Sequence, residues 1–389
     1  MGYVVTLKKN EEKRILAGNG WVYANEVASI SGKDKNGSLA TVVSSAGRFI
    51  GKGYINHLSK ILVRIFVRDE RSDEEVIKER LLEAVNLRKR LGFSTCYRAV
   101  YAESDLLPGL IVDKYGEALS VQFLTLGMDM RKDFIVECLK DIFAPRAIIE
   151  RSDVAVRQKE GLPLKKGVIY GENISRIETE ENGLKLSIDL IDGQKTGYFL
   201  DQKENRFALR RYAKDKNVLD CFCNAGGFGL NAAAAGAKSV TFLDISPVAL
   251  SEVKRNAALN GITNIETVEC DVFEKLREYK AEKKKFDLIV LDPPAFCKSG
   301  EDVAAALKGY KDINVLAMKL LADDGILVSS SCSHFVTPLM FKRMLAESAA
   351  SAGKRAKIIE ERGQCPDHPI LLGADESAYL KFVVLSVCK

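Results

Sequence analysis

Short apolar runs separated by glycine and lysine dominate the first part of the chain, and this pattern predicts β-strands. The predicted strands are residues 3–7, 40–44, 49–54 and 61–67. Many basic side chains lie between them, including Arg48 and Lys52, and the same segment contains Trp21. Basic groups with an exposed aromatic ring suit RNA contact, whereas a buried tryptophan beside a solvated charged face is equally compatible. We therefore predict a small β-rich domain over residues 1–72, with its partner left open by this segment.

The next segment mixes helical and strand patterns. Residues 69–73 form a charged linker, and residues 74–91 carry a helical charge pattern that ends at Gly92. The remaining predicted elements are strands at residues 97–102, 110–113, 119–123, 147–150 and 184–190, with a helix at residues 130–143. This order predicts a central α+β domain over residues 73–190, in which we identify no catalytic residue.

Strands and helices alternate from residue 191 to residue 389, which predicts an α/β domain with a mostly parallel sheet covered on both faces. The predicted strands are residues 218–222, 239–243, 265–269, 286–291, 325–331, 356–361 and 379–388. The predicted helices are residues 228–235, 247–260, 272–280, 301–321 and 337–352. In such a sheet, ligands bind beyond the carboxyl ends of the strands.

A glycine-rich turn follows the first strand of this domain. Asn224, Gly226 and Gly229 let the backbone approach a ligand closely, and Asp244 at the tip of the next strand is suited to accept the hydroxyl hydrogens of a ribose. The spacing does not match the G-x-G-x-x-G dinucleotide fingerprint. The turn therefore favours a nucleoside ligand over a pyrophosphate, and a purely structural turn is the alternative.

Two further strands of the parallel sheet are followed by residues that could take part in a reaction. The strand at 286–291 leads into Asp292, two prolines and Phe296, a stiff loop suited to holding a flat ring. The strand at 325–331 leads into Cys332, and parallel strands bring Asp292 and Cys332 to one edge. A thiolate there could add to C6 of a pyrimidine and make C5 nucleophilic. Cys332 as a small buried residue is the alternative, and Cys297 is the second candidate nucleophile.

Composition restricts the class of protein. The 389 residues suggest two or three domains, and 47% hydrophobic with 29% charged residues is ordinary for a globular protein. We find no long uncharged apolar run and no leader pattern, so we expect a cytoplasmic protein without membrane insertion. Nine scattered cysteines and three histidines predict reduced thiols and no metal site. The net charge of +5 permits an anionic partner without requiring one.

Several motifs together make the chain resemble a known family. They are GRFIGKG at residues 47–53, LPGLIVD at 107–113, ERSD at 150–153, QKTGYFLDQ at 194–202, DPP at 292–294 and SCS at 331–333. Over nearly its whole length the chain resembles the class I S-adenosylmethionine-dependent methyltransferases of the large-subunit ribosomal RNA 5-methylcytosine type. The resemblance implies a PUA-like RNA-binding domain, a central α+β domain and a Rossmann-like methyltransferase domain over residues 191–389.

The same resemblance implies how the cofactor S-adenosylmethionine is held. Asn224, Gly226 and the neighbouring backbone would hold its methionine end, Asp244 its ribose and Asp271 its adenine amine. Gln202 belongs to the family segment that closes over the cofactor. From its own position, Asp271 is equally compatible with capping the helix predicted at residues 272–280.

For the reaction, the resemblance implies Cys332 as the nucleophile, Asp292 beside the cofactor and the substrate base, 23S ribosomal RNA as the substrate, and a homodimer. Phe296 is the expected stacking residue, and Arg48 and Lys52 are the expected RNA contacts. Residues 366–369 and 376–381 match family segments in which we expect the acceptor of the C5 proton; otherwise His368 is expected to be an exposed loop histidine.

Three other functions remain open. A D-P-P-x-F loop also suits methylation of a guanine nitrogen or exocyclic amine with the same cofactor. A non-catalytic RNA-binding factor in ribosome assembly would keep the fold without binding the cofactor. A nicotinamide oxidoreductase is the alternative at the level of fold, and the absence of G-x-G-x-x-G argues against it.

Overall fold

The computed structural model of the protein describes residues 2–297 and 299–389. Its chain divides into two compact units. The first comprises Met1–Thr179, Ile188–Leu200 and Pro366–Ser377, and the second comprises Glu180–Ser187, Asp201–Cys365 and Ala378–Lys389. The three-domain division with boundaries after residues 72 and 190 stays a proposal. None of the helices in the described residues is long and apolar enough to span a bilayer.

The first unit begins with a mixed sheet. Its elements are β1 (Val4–Leu7), α1 (Glu12–Leu16), β2 (Trp21–Tyr23), β3 (Val27–Ser31), β4 (Leu39–Val43), β5 (Phe49–Ile55) and β6 (Ile61–Val67). The strand order is β2-β6-β5-β4-β1-β3, with β1 parallel to β4 and the other pairs antiparallel. Alternate apolar residues such as Val5, Leu7, Val42 and Val63 are fully buried against one another, so the sheet has its own core.

The second sheet of this unit is mostly antiparallel. Its elements are α2 (Asp73–Arg90), β7 (Cys96–Tyr101), β8 (Leu110–Tyr115), β9 (Ala118–Phe123), α3 (Leu126–Met130), α4 (Lys132–Phe143), β10 (Ala147–Ser152) and β11 (Lys165–Gly171). The order is β11-β10-β9-β8-β7, in which only β9 and β10 of these strands pair in parallel. A capping box of Ser72 and Glu75 starts α2. The predicted helix at 130–143 begins two residues later, at Lys132.

A two-stranded hairpin of β12 (Arg176–Glu181) and β13 (Leu184–Asp189) follows. The second unit then contains α5 (Lys203–Leu209), β14 (Asn217–Cys221), α6 (Gly227–Ala234), β15 (Ser239–Asp244), α7 (Pro247–Leu259), β16 (Ile265–Glu269), α8 (Val272–Ala281), β17 (Phe286–Leu291), α9 (Val303–Leu320), β18 (Leu321–Ser331), α10 (Pro338–Ala352), β19 (Arg355–Arg362) and β20 (Lys381–Cys388).

The large sheet of the second unit has the order β16-β15-β14-β17-β18-β20-β19. The strands from β16 to β18 are parallel, whereas β20 is antiparallel to both of its neighbours. The strand order changes direction between β14 and β17. A crevice beyond the carboxyl ends of these two strands is the usual ligand position in such a sheet.

Both faces of this sheet are buried, which explains the continuous apolar runs in the sequence. In β17, Ile289 and Leu291 pack into the core with α8, α9 and α10. The intervening Leu288 and Val290 pack into the opposite core with α6 and α7. The mostly parallel α/β sheet covered on both faces is therefore confirmed.

Candidate active site

The glycine turn after β14 brings the backbone unusually close to β15. Gly226 has φ +82°, and a Cβ atom there would lie 3.0 Å from a methyl group of Val253. A Cβ atom at Gly229 would lie 2.2 Å from the ring of Phe242, too close for any side chain. Asn224 also has positive φ, at 49°. The turn therefore depends on glycine for conformation and for space.

Asp244 ends β15 with its carboxylate tied to the same turn. One oxygen accepts the backbone N–H of Asn224 and the other accepts that of Ser246, each at 2.9 Å. Each oxygen keeps further lone-pair capacity for a ligand hydroxyl. The next residue, Ile245, is 70% exposed, so an apolar side chain stands beside the carboxylate. This pairing suits a ribose attached to a flat apolar base.

Asp220, which the sequence patterns did not single out, lies beneath the turn. It is 1% exposed, and one oxygen accepts the N–H of Gly229 at 2.8 Å. The other oxygen, Oδ1, has no hydrogen-bond partner among the described residues. Burial raises the pKa of Asp220 to about 8; the Gly229 N–H opposes this rise, and the charges of Asp292 and Asp244 reinforce it. At neutral pH the buried carboxyl therefore holds a proton.

Asp271 follows β16 and is exposed. Its carboxylate caps α8 by accepting the N–H of Glu274 at 3.1 Å. The preceding Cys270 donates its N–H to the backbone oxygen of Asp244. Asp271 thus lies at the same edge of the sheet as Asp244, and one of its carboxylate oxygens caps α8.

Asp292 follows β17, and a chain of side-chain hydrogen bonds holds its carboxylate. The Gln202 side chain is 3% exposed and donates to Oδ1 of Asp292 at 2.9 Å. Asn205 donates to Gln202 at 2.7 Å, and Arg362 donates to Asn205 at 3.1 Å. The sequence motif associated Gln202 with the cofactor, and its observed contact is with Asp292. This relay fixes the carboxylate at the strand edge.

Phe296 is partly buried, and its ring packs 4.6 Å from that of Tyr310 and 6.0 Å from that of Phe273. Much of the ring is therefore occupied by the protein core. Only its exposed portion remains for contact with a base.

Cys332 is partly exposed and follows β18 directly. Leu291 pairs with Ser329 in parallel register, so Asp292 and Cys332 leave neighbouring strands at the same edge. Cys297 is 4% exposed, and its thiol donates to the backbone oxygen of Ser299 at 3.0 Å. Of the two thiols, Cys332 is the more accessible.

The basic candidates belong to the first unit. Arg48 is exposed in the turn between β4 and β5, where Ser44 caps the loop through its backbone and hydroxyl. Lys52 is ion-paired with exposed Glu70 at 3.0 Å. Trp21 is half-buried and donates its indole N–H to Glu103 at 3.0 Å.

The prediction that His368 is exposed is wrong, because this side chain is only 2% exposed. Its Nδ1 lies 2.7 Å from Oδ1 of Asp367, and its ring packs against Tyr101. Asp367 in turn accepts the N–H of Arg98. Among residues 2–297 and 299–389, no group of three or more potential ligands could hold a metal ion.

Comparison with known proteins indicates which families the chain resembles. A model of PUA-like domains matches residues 5–68, and a model of S-adenosylmethionine-dependent methyltransferases matches residues 157–385. The chain is 41% identical over 395 residues to the ribosomal RNA large subunit methyltransferase I of Tolumonas auensis, covering 99% of each protein. It is also 41% identical over 391 residues to the protein of the same name from Pseudoalteromonas atlantica, covering 98% and 99%.

A solved structure shares the fold. A chain described as a methyltransferase dependent on S-adenosylmethionine, from Streptococcus mutans, matches with a TM-score of 0.84 at 21% identity, covering 99% of this chain and 100% of that chain. At this identity the likeness supports the fold alone.

Proposed function

The chain belongs to the S-adenosylmethionine-dependent methyltransferases, in the family of the ribosomal RNA large subunit methyltransferases I, and we propose that it methylates C5 of a cytidine in 23S ribosomal RNA. The observation that carries this proposal is the partly exposed thiol of Cys332 at the strand edge shared with Asp292. Methylation at a ring nitrogen needs no such thiol, whereas methylation at C5 of a pyrimidine does.

The proposed reaction uses the thiol as a covalent catalyst. The Cys332 thiolate would form a bond to C6 of the base as the C5–C6 π bond breaks, which makes C5 nucleophilic. C5 would then bond to the methyl group as the bond between that methyl group and the sulfonium sulfur breaks and the demethylated cofactor leaves. Loss of the C5 proton re-forms the double bond and expels the thiolate, so the enzyme is regenerated. Asp292 faces the base and Gln202 keeps its carboxylate in position. The exposed part of Phe296 contacts the ring, and Arg48 and Lys52 contact RNA phosphates.

S-adenosylmethionine supplies an electrophilic methyl group when it is bound. The residues that would hold it fit its chemistry: the carboxylate of Asp244 is tied to the glycine turn and keeps lone-pair capacity for the ribose hydroxyls. The unpartnered Oδ1 of Asp220 adds a buried polar group beneath the turn. Asn224 and the backbone of the turn are the proposed contacts of the methionine end. Asp271 is the proposed contact of the adenine amine.

Replacing Asp244 with alanine should weaken binding of S-adenosylmethionine on the order of 100-fold, because two charge-assisted hydrogen bonds to the ribose are lost at once. Isothermal titration calorimetry with the cofactor measures this change. Ser246→Ala is the matched control, since it removes the hydroxyl that caps α7 and leaves the carboxylate in place. An unchanged affinity in Asp244→Ala, with the control also unchanged, would exclude this ribose site.

Identifying the methylated nucleoside tests the proposed function most directly. We expect that large-subunit RNA incubated with the protein and the cofactor, then digested to nucleosides, yields 5-methylcytidine by mass spectrometry. A methylated guanosine would instead support the non-covalent alternative. An RNA-binding protein without cofactor affinity would support a non-catalytic role in ribosome assembly.

A homodimer and a cytoplasmic location complete the proposal. The dimer rests on the family resemblance of the motifs. The location follows from the proposed substrate, because ribosomes work in the cytoplasm.

A further inference from the structure

The amine of Lys381 is buried in the second unit and has no acidic partner among the described residues. Lys381 is 7% exposed at the start of β20. Its Nζ donates to the backbone oxygen of Ser333 at 2.6 Å and to that of Tyr379 at 2.8 Å. Within the described part of the chain, it forms no ion pair with a carboxylate. Lysine is rarely buried in this way unless it is paired, so its position calls for a functional reason.

The sheet register puts this amine next to Cys332. β18 and β20 are antiparallel, and Ser331 is the residue opposite Lys381. The backbone of Lys381 pairs with Ser331 and its amine hydrogen-bonds to Ser333, so Lys381 contacts the residues immediately before and after the cysteine. Burial lowers the pKa of Lys381 to about 8, and charge on Cys332 and on Cys297 opposes that fall. The amine therefore lies close enough to both sulfurs for a negative charge on either to affect its pKa.

The two hydrogen bonds use two N–H groups of the amine. In the neutral amine the remaining site is a lone pair that can accept a proton, and in the ammonium ion it is a third N–H. We infer that Lys381 takes the proton of the Cys332 thiol and then holds the thiolate as its ammonium partner before the sulfur attacks the base. The S–H bond breaks, an N–H bond forms, and the electron pair stays on sulfur. This inference rests on the proposed function and assigns Lys381 as a positioning residue.

Two other titratable groups nearby, Cys297 and Tyr310, do not take this role. The thiol hydrogen of Cys297 is engaged with the backbone oxygen of Ser299. Burial raises the pKa of Tyr310, and its hydroxyl is hydrogen-bonded to Ser331 and Ser333. Tyr310 therefore stays neutral. Lys381 can carry a positive charge beside the sulfur.

Alkylation of Cys332 by iodoacetamide tests the inference without RNA or cofactor. The rate is followed against pH by mass spectrometry of the peptide that contains Cys332. In the unsubstituted protein, the apparent pKa of this thiol should lie below the value of about 8.5 for a free cysteine. In Lys381→Met, which keeps the length of the side chain, that pKa should rise by at least about one unit, and the rate near neutral pH should fall roughly tenfold.

Lys285→Met is the matched control. Lys285 also donates to two backbone oxygens, those of Lys319 and Leu321, but it precedes β17 and lies at the opposite end of the sheet from Cys332. The control should leave the alkylation profile of Cys332 unchanged. Lys381→Arg retains a positive charge and should recover part of the reactivity lost in Lys381→Met.

Two results would overturn the inference. One is an apparent pKa of Cys332 at or above that of a free thiol in the unsubstituted protein, which decides the matter even if Lys381→Met does not fold. The other is the same profile in Lys381→Met and in the unsubstituted protein. Either result leaves the proposed function intact if 5-methylcytidine is formed. A different methylated nucleoside, with the predicted alkylation profile, would refute the function while the proton transfer to Lys381 stands.

Discussion

Replacing Cys332 with alanine is expected to lower kcat for methyl transfer by roughly 10⁴-fold or more. Cytosine C5 is too weakly nucleophilic to attack a methyl donor, and addition of the sulfur at C6 is what raises its electron density. Alanine removes the sulfur while keeping a small residue after β18. Without the sulfur of Cys332, substrate binding alone would support little turnover. The measurement is incorporation of labelled methyl groups into large-subunit RNA.

The controls separate lost chemistry from lost structure. Cys332→Ala should bind S-adenosylmethionine with unchanged affinity, because the proposed contacts of its methionine end, ribose and adenine follow β14, β15 and β16. Cys297→Ala is the matched control, since it removes the neighbouring thiol, whose hydrogen is engaged with Ser299. This control should retain most of the activity. Undiminished methylation by Cys332→Ala would eliminate the covalent mechanism, and loss of activity in Cys297→Ala alone would move the nucleophile to that residue.

The α/β domain could be predicted closely because its strands are buried on both faces. β16 and β17 have the predicted bounds, and most other elements of this domain differ by one or two residues. A continuous apolar run of five or six residues leaves little ambiguity when helices cover both sides of the sheet. The predicted fold class and the family resemblance are both confirmed by the matches over the full length of the chain.

Several strands missed from sequence are ones that gain little from burial. β3 is largely exposed along its length, and β11 and β12 are rich in polar residues. β2 has only three residues. Their strand conformation is determined by pairing with neighbouring strands. This pairing joins residues that are distant in sequence, so the local pattern of hydrophobic and polar residues does not predict it.

The site was predictable where topology decided it. Asp244, Asp292 and Cys332 each follow a predicted parallel strand, and parallel strands end at one edge. Asp220 was missed, and Lys381 was included only as the last residue of the segment 376–381 without a role of its own, because each sits next to apolar strand residues whose pattern indicates packing. A charged residue adjoining such a run is the signal that could have identified both.

His368 shows the opposite error. Its Pro-Asp-His-Pro context is typical of an exposed turn, yet the neighbouring Asp367 is fully buried. Asp367 accepts hydrogen bonds from Arg88 through its backbone oxygen and from the N–H of Arg98 through its carboxylate. Arg88 is itself fully buried and ion-paired with Asp105 at 2.6 Å. Partners this distant in sequence cannot be inferred from the turn itself.

Asp220 should make the second unit progressively less stable as pH rises from about 4 to about 8. Its pKa is raised to about 8 in the folded protein by burial, against an ordinary value of 3.8. Below both values, the folded and unfolded chains are both protonated, and there is no penalty. Between them, the unfolded chain loses the proton while the folded chain keeps it, so the unfolded state is favoured increasingly with pH. Above pH 8 both are ionised and the penalty is constant.

The difference in the free energy of unfolding between Asp220→Asn and the unsubstituted protein should therefore grow in favour of the variant by about 5 kcal/mol across this range. Asparagine does not titrate and keeps an oxygen that can accept the Gly229 N–H. Urea unfolding at a series of pH values measures the difference. The test is how this difference changes with pH, because its constant part also includes the cost of the amide N–H groups of asparagine, which need partners. Asp287→Asn is the matched control, since that carboxylate also accepts a strand N–H, from Asn217, but is partly open to solvent. If the difference for Asp220→Asn is the same at every pH, the carboxyl beneath the glycine turn is ionised in the folded protein and the buried proton does not exist.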